Sequence, residues 1–271
     1  MKKIIFPILL LVNTILSADT WTPAIFNDNM VLQRGVNVPV WGKDTPGAEI
    51  TVSFANQTAK TIANKEGKWK LFLKPMKAGE GGEMVINGSS RKYLKNVVVG
   101  DVWLCSGQSN MEMSVRYSRN SKEEIFNAKY PDIRFFQVKN ETALQPREDL
   151  CGEWTECSPK TVPEFSAVGY FFAREIYQEK KIPLGLIQSD WGASSAESWT
   201  SLETLKSDSD FNSFVNKYKE FNNDPKPEDT YEKKLRNWKQ KCGDGNLHKD
   251  SGNIGFNKGW ARPECDLSGW K

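Results

Sequence analysis

The chain has 271 residues, 38% of them hydrophobic, and its 37 Lys and Arg nearly balance 34 Asp and Glu for a net charge of +3. No basic stripe with interleaved aromatics is present, which argues against a nucleic-acid partner. The length suits two domains or one large one.

Lys2 and Lys3 precede an apolar run from Ile4 to Val12, and Leu16-Ser17-Ala18 offers a small-residue cleavage site. That is the layout of a secretory signal peptide. The run is broken by Pro7 and Asn13 and falls well short of a bilayer span. Residues 1–18 are therefore expected to be an export signal cleaved near Ala18, giving a periplasmic or secreted protein. No other segment is apolar enough to cross a membrane, so no membrane partner is expected after cleavage.

Residues 19–96 read as β-structure. Val36, Val38 and Val40 alternate with polar or turn residues, as do Ile50, Val52 and Phe54, then Trp69, Leu71 and Leu73. A period of two is that of half-buried strands. Pro46-Gly47, Glu66-Gly67 and Gly81-Gly82 supply turns between them. Short strands at this spacing predict a small antiparallel sandwich.

From Val97 the pattern changes. An apolar strand over 97–104 runs into the turn GQSNM around Ser109, and a broken polar helix follows to about Lys129. Pro131 ends that helix, and IRFFQV over 133–138 forms a second strand. The next helix opens at Pro163 and carries Phe165, Val168, Phe172 and Ile176 on one face. A third strand, IPLGLIQ, leads into the loop SDWGASSAES. Strand, helix and strand in alternation predict a parallel sheet covered by helices, whose ligands bind beyond the carboxyl ends of the strands. Ser109 and Gly192 both fall there. Three strands make an incomplete sheet with an open edge, so the chain is expected to stop in the middle of a domain.

Residues 206–271 are rich in Lys, Asp, Asn and Glu, with Pro225, Pro227 and a glycine-rich tail. A helix from about Asp229 to Lys241 would set Tyr231, Leu235 and Trp238 on one side.

Of five cysteines, Cys151 and Cys157 are close enough in sequence to pair after export, while Cys242 and Cys265 flank a polar loop. Cys105, inside a strand, reads as a small buried packing residue. None shows C-x-x-C spacing, so no structural metal is expected. Ten tryptophans stand out, several in polar surroundings such as DTWTP, GKWKLF and SDWGASSAESWT. Such aromatic faces suit the apolar side of a sugar ring, although core filling is the expectation for most of them.

A serine at a strand-to-loop corner can expose its hydroxyl while its own backbone N–H faces a developing oxyanion. Gly192 lets a second loop approach a substrate with no side chain in the way. Taken alone, such a turn more often holds a capping serine than a nucleophile. The fuller string is more specific. GDVWLCSGQSNMEM closely resembles the nucleophile block of the sialate O-acetylesterases and related carbohydrate acetylesterases of the SGNH hydrolase superfamily. FSAVGYFFAREI, IPLGLIQSDWGASSAESWTS and the amino-terminal NMVLQRGVNVPVWGKDTPG resemble the same family in the same order.

The resemblance covers nearly the whole mature chain to about Leu205. It implies an antiparallel β-sandwich over 19–96, followed over 97–205 by the amino-terminal part of an α/β hydrolase domain, three-layered and SGNH or flavodoxin-like. Over 206–271 it implies a polar helical and loop segment, whose closing NKGWARPECDLSGWK resembles the opening of a truncated β-sandwich insert. It implies hydrolysis of acetyl esters on sugars, typically of sialic acid, with no metal or organic cofactor. Ser109 takes the nucleophile's position and, through its N–H, that of one oxyanion donor; Gly192 takes the position of a second. The family usually has another glycine where this chain has Ala193. Gln108 and Asn110 match the nucleophile block, and Glu197 and Trp199 match the family's Glu-Ala-Trp. These four are the candidate substrate-binding residues, with turn shaping and packing as the plain alternatives.

The family's base is a histidine in a late Asp-x-x-His block, and neither that block nor the late oxyanion-hole asparagine block is present. The one histidine, His248, sits in GDGNLHKDSG with no aspartate three residues before it, as a solvent-exposed loop residue would. Asp101, Glu112 and Asp190 lie near the candidate site, but a carboxylate is a weak base for a serine hydroxyl unless burial raises its pKa. The expectation is an exported carbohydrate O-acetylesterase represented by its amino-terminal half, with little activity alone. The alternatives are a non-catalytic carbohydrate-binding remnant, a remnant with no independent fold, and an acetylesterase acting on xylan or other acetylated polysaccharides.

Overall fold

Alternating burial organises the first half of the chain. β1 (Val31–Gln33) is followed by β2 (Val38–Lys43), β3 (Glu49–Phe54), β4 (Gln57–Ile62), β5 (Lys68–Leu73) and β6 (Gly81–Asn87). Every second residue of β2, β3 and β5 is buried, as the period-two pattern requires. Val36 is the exception among the residues expected inside; it precedes β2 and is 48% exposed. The computed structural model describes residues 19–143, 145–223 and 236–237. The expected export signal, Cys242, Cys265 and His248 lie outside the described residues. So does the helix expected from Asp229, apart from Arg236 and Asn237, which are helical.

β7 (Arg91–Gly107) is one unbroken strand that crosses the boundary expected near residue 96. α1 (Ser109–Glu112) and α2 (Ser121–Asn127) follow it, separated by a 3-10 turn at Val115–Tyr117. Then come β8 (Tyr130–Gln137), β9 (Trp154–Cys157), α3 (Ala167–Lys180) and β10 (Leu184–Asp190). Among the described residues eight strands form one sheet in the order β4-β3-β6-β7-β10-β8-β9, with β1 also paired to β7; β2 and β5 pair separately. β3, β4 and β6 join antiparallel, whereas β7, β10 and β8 run parallel. The fold is mixed α/β, and its parallel part is the one expected from strand–helix–strand alternation.

Two apolar cores flank this sheet. In the first, Val40 of β2 and Leu73 of β5 pack with Ile50, Ile86 and Val99 of the large sheet. In the second, α3 lies against β8 and β10, and Phe135 stacks on Phe165 with ring centroids 3.9 Å apart. Each fully buried aliphatic or aromatic side chain contributes about 1.5–3 kcal/mol. Arg134 pins the two regions together. Its guanidinium is buried and donates to Asn29 O at 2.9 Å, to Asn96 O, and to Asn96 Oδ1 at 3.1 Å.

Several expectations are corrected. α3 does not bury Val168 and Phe172, which are 48% and 41% exposed. Its inward face is Ala167, Gly169, Tyr170 and Ala173. Three small residues let the helix approach the sheet closely, and Tyr170 fills the remaining space. Phe165 precedes the helix, which begins after its cap, Ser166. Cys151 and Cys157 are both free, because Cys157 is buried inside β9 while Cys151 is exposed. Only Trp69 and Trp154 among the described tryptophans are buried, whereas Trp41, Trp103, Trp191 and Trp199 are exposed.

The chain divides into two compact units between Ser195 and Ala196. Within the second, Ser201 caps α4 (Leu202–Lys206) by accepting from Thr204 N at 3.2 Å, and α5 (Asn212–Asn223) follows. Among the described residues no helix is long and apolar enough to cross a membrane.

Candidate active site

β7 delivers the chain to the carboxyl edge of the parallel strands and ends at Gly107, whose φ of +150° is one that L side chains rarely adopt. The chain turns at once into α1, which puts Ser109 at its first position, exposed to solvent. Gln108 caps this turn. Its Oε1 accepts from Ser109 Oγ at 3.3 Å and, at a long 3.5 Å, from Ser109 N–H.

The segment behind α1 is stitched to the start of α3. Val115 N donates to Phe165 O at 3.0 Å, and Ala167 N to Met113 O at 2.8 Å. Ser166, fully buried, caps α3 by accepting from Gly169 N at 3.2 Å. The serine turn therefore rests on a rigid base of backbone hydrogen bonds.

The parallel register sets Asp190, the last residue of β10, opposite Gly107. Trp191 N then donates to Gly107 O at 3.1 Å, which draws the following loop across the serine turn. Gly192 comes to lie beside Ser109, since a Cβ built on it would be 3.8 Å from Ser109 Cα. Its N–H donates to Glu112 Oε2 at 2.8 Å. The same added Cβ would stand 2.2 Å from that oxygen, so a side chain here would push the Glu112 carboxylate away from the amide. Ala193 follows at φ +61°, a left-handed conformation that costs an L-residue roughly 1–2 kcal/mol.

A cleft of about 460 Å³ opens at this edge, lined by Glu112, Ser114, Gln137, Lys139, Asn140, Glu164, Gln188 and Asp190, with Val138. Asp190 is only 7% exposed, and its Oδ2, like Ser114 Oγ, has no hydrogen-bond partner among the described residues. Burial raises the Asp190 pKa above the ordinary carboxylate value; a hydrogen bond from Gln188 opposes the rise, and the nearby Glu112 charge adds to it. Glu164 is paired with Arg116. Cys105, two residues before the end of β7, has its thiol pushed up to about 11, first by burial and then by Asp190, so it is an inert packing group.

The structure thus brings Ser109, Gln108 and Gly192 together, with Asn110 exposed in the same turn. Glu197 and Trp199 lie in a 3-10 turn, Ala196–Trp199, of the second unit, and Trp199 is 45% exposed. Asp101 is no candidate base. Arg34 Nε sits 2.7 Å from its Oδ1 and holds the carboxyl below the usual range, partly against burial. Sequence reasoning missed the contact between Glu112 and Gly192 and, among the polar groups that line the cleft, Ser114 and Gln188. A signal exists for Glu112 and for Gln188. Glu112 follows Ser109 by three residues, one helical turn, and Gln188 precedes Asp190 by two, on the same face of β10. Among the described residues no group of three or more His, Cys, Asp or Glu is arranged to hold a metal ion.

An exposed serine at a strand-to-helix corner, with a glycine loop crossing it at the edge of a parallel sheet, is an arrangement shared with hydrolases that act on esters. Residues 99–247 match the family of carbohydrate esterases described as sialic acid-specific acetylesterase, and the chain belongs to that family. The sialate O-acetylesterase of Homo sapiens is 35% identical over 202 residues, 66% of this chain and 38% of that protein. The Mus musculus sialate O-acetylesterase is 34% identical over 206 residues, 68% of this chain and 38% of that one. The crystal structure of a carbohydrate acetylesterase from Xanthomonas citri matches with a TM-score of 0.68 at 35% identity, over 69% of this chain and 43% of that one. The chain thus spans well under half the length of these relatives.

Proposed function

We propose that this chain carries the nucleophile of an exported serine esterase that removes acetyl groups from sugars, with sialic acid the sugar to which the names of its family and mammalian relatives point. Ser109 Oγ attacks the acetyl carbonyl, and the N–H groups of Ser109 and Gly192 receive the charge of the tetrahedral intermediate. The sugar hydroxyl leaves with a proton, an acetyl-serine remains, and water releases acetate from it. None of the described residues takes the role of base in this reading.

The observation that carries this reading is the meeting of Ser109 and Gly192 at the carboxyl ends of two adjacent parallel strands. Trp191, 40% exposed beside that glycine, supports a sugar face at the site. In the same reading residues 19–96 are a β-sandwich, 97–205 the amino-terminal part of an SGNH hydrolase domain, and 206–271 a segment leading into an insert. The β2–β5 pair, which shares one core with β3 and β6, supports the first of these. Leu104 of β7, 68% exposed, supports further elements over that part of the sheet.

The test is peptide mass spectrometry after brief incubation with an activated acetyl ester. An acetyl group on Ser109, absent from Ser109→Ala, is the expected result. Acetylation confined to lysines would overturn the assignment. A second reading, glycan binding without turnover, is favoured by one observation, the carboxylate of Glu112 on the Gly192 N–H. It predicts binding of acetylated glycans by a protein whose Ser109 stays unmodified.

A further inference from the structure

The second expected oxyanion donor already has an acceptor. Gly192 N–H points at Glu112 Oε2, 2.8 Å away, so a carboxylate stands where the carbonyl oxygen of an ester would have to arrive. One N–H does not serve two anionic acceptors well, and a fixed carboxylate beside a developing oxyanion raises its energy. Glu112 reaches this place because it lies one turn after Ser109 in α1, and because Gly192 presents no Cβ to exclude it.

No ion pair among the described residues holds Glu112 there. Among the described residues the ion pairs of the region are Arg116 with Glu164 and Arg174 with Glu124, and none reaches Glu112. The buried carboxyl of Asp190, which lines the same cleft, is an unfavourable neighbour for it. A carboxylate that stays in place against a like charge, without a salt bridge, is held by the N–H it accepts from. A better-placed acceptor can therefore take that N–H.

We propose that Glu112 is the resident acceptor of the oxyanion site: it occupies the Gly192 donor in the resting protein and yields it to the acyl oxygen of an ester, or to a small carboxylate such as acetate. This rests on the reading of Ser109 and Gly192 given above. The site is then neither open nor blocked but competed for, and the strength of the internal competitor sets how tightly an external oxygen anion binds.

The Gly192 amide reports this directly. In the protein labelled with nitrogen-15 at glycine, acetate is titrated into the parent chain, Glu112→Ala and Glu112→Gln while that resonance is followed by NMR. The expected result is a saturable shift in Glu112→Ala at a concentration at least about tenfold lower than in the parent, the scale of one charge-assisted hydrogen bond. Glu112→Gln, which keeps a neutral acceptor on the same frame, falls between the two. If Glu112→Ala does not fold, a tighter acetate response in Glu112→Gln than in the parent decides for the proposal. A Gly192 resonance that acetate moves equally in all folded variants, or in none, overturns it. Absence of acetyl on Ser109 would remove the esterase reading while leaving this competition measurable, so the two failures are distinguishable.

Discussion

The backbone N–H of Ser166 donates to Gln188 Oε1 at 2.9 Å, and the two residues are 0% and 2% exposed. The bond fastens the cap of α3 to β10 just before the loop that carries Gly192. Gln188→Leu leaves that N–H without an acceptor in a dry site, a loss of about 1–3 kcal/mol. Urea denaturation should therefore show a lower midpoint with an unchanged slope. An unaltered midpoint would mean that Ser166 finds another acceptor.

Ala193 stands at φ +61° immediately after Gly192. Ala193→Gly removes the clash of a Cβ in this conformation and adds some chain entropy to the unfolded state, so the net gain should be about 1 kcal/mol. A raised unfolding midpoint checks it. A fall would show that the alanine methyl makes a contact worth more than the strain.

Asp44 is 4% exposed in the first core region. Burial would raise its pKa, but hydrogen bonds from Ser89, Thr20 and Thr45 outweigh burial and hold it below the ordinary value. A depressed folded pKa gives stability that is present above the unfolded value of about 3.9 and lost as pH falls through the folded one. Asp44→Asn should cost about 2 kcal/mol at neutral pH. That deficit should shrink in melts taken at progressively lower pH below about 4.

Asp190 has the opposite sign. Its folded pKa is raised, so the protonated form is the one the fold favours, and the ionised form weakens it once pH exceeds the folded value. Asp190→Asn should be more stable than the parent at neutral pH, by about 1 kcal/mol. The advantage should disappear below about pH 3.9, where the carboxyl is protonated in both states. A constant difference across that range would show that shape rather than charge explains it.

The strands were legible wherever one face is buried and the other is wet. Ile50, Val52 and Phe54, or Trp69, Leu71 and Leu73, announce themselves by alternation. β4, QTAKTI, did not, because neither of its faces is buried. The inward face of α3 was misassigned for a related reason. Hydrophobicity marks large residues, whereas close approach to a sheet is made by Ala167, Gly169 and Ala173, which carry little apolar signal. At the candidate site, the serine corner and the glycine loop could be placed from strand ends alone. The hydrogen bond from Gly192 to Glu112 could not, since it depends on the register of β10 against β7.

Because β7 runs unbroken from Arg91 to Gly107, one hydrogen-bonded ribbon belongs to both apolar cores. Its first half pairs with β6 and its second with β10. That has a consequence for protein engineering. A chimera spliced to a relative within this ribbon would splice a single strand, and a one-residue error in register would turn every side chain of the incoming half to the wrong face. The natural seam for exchanging parts lies instead at Ser195 and Ala196, beyond β10, the last strand among the described residues.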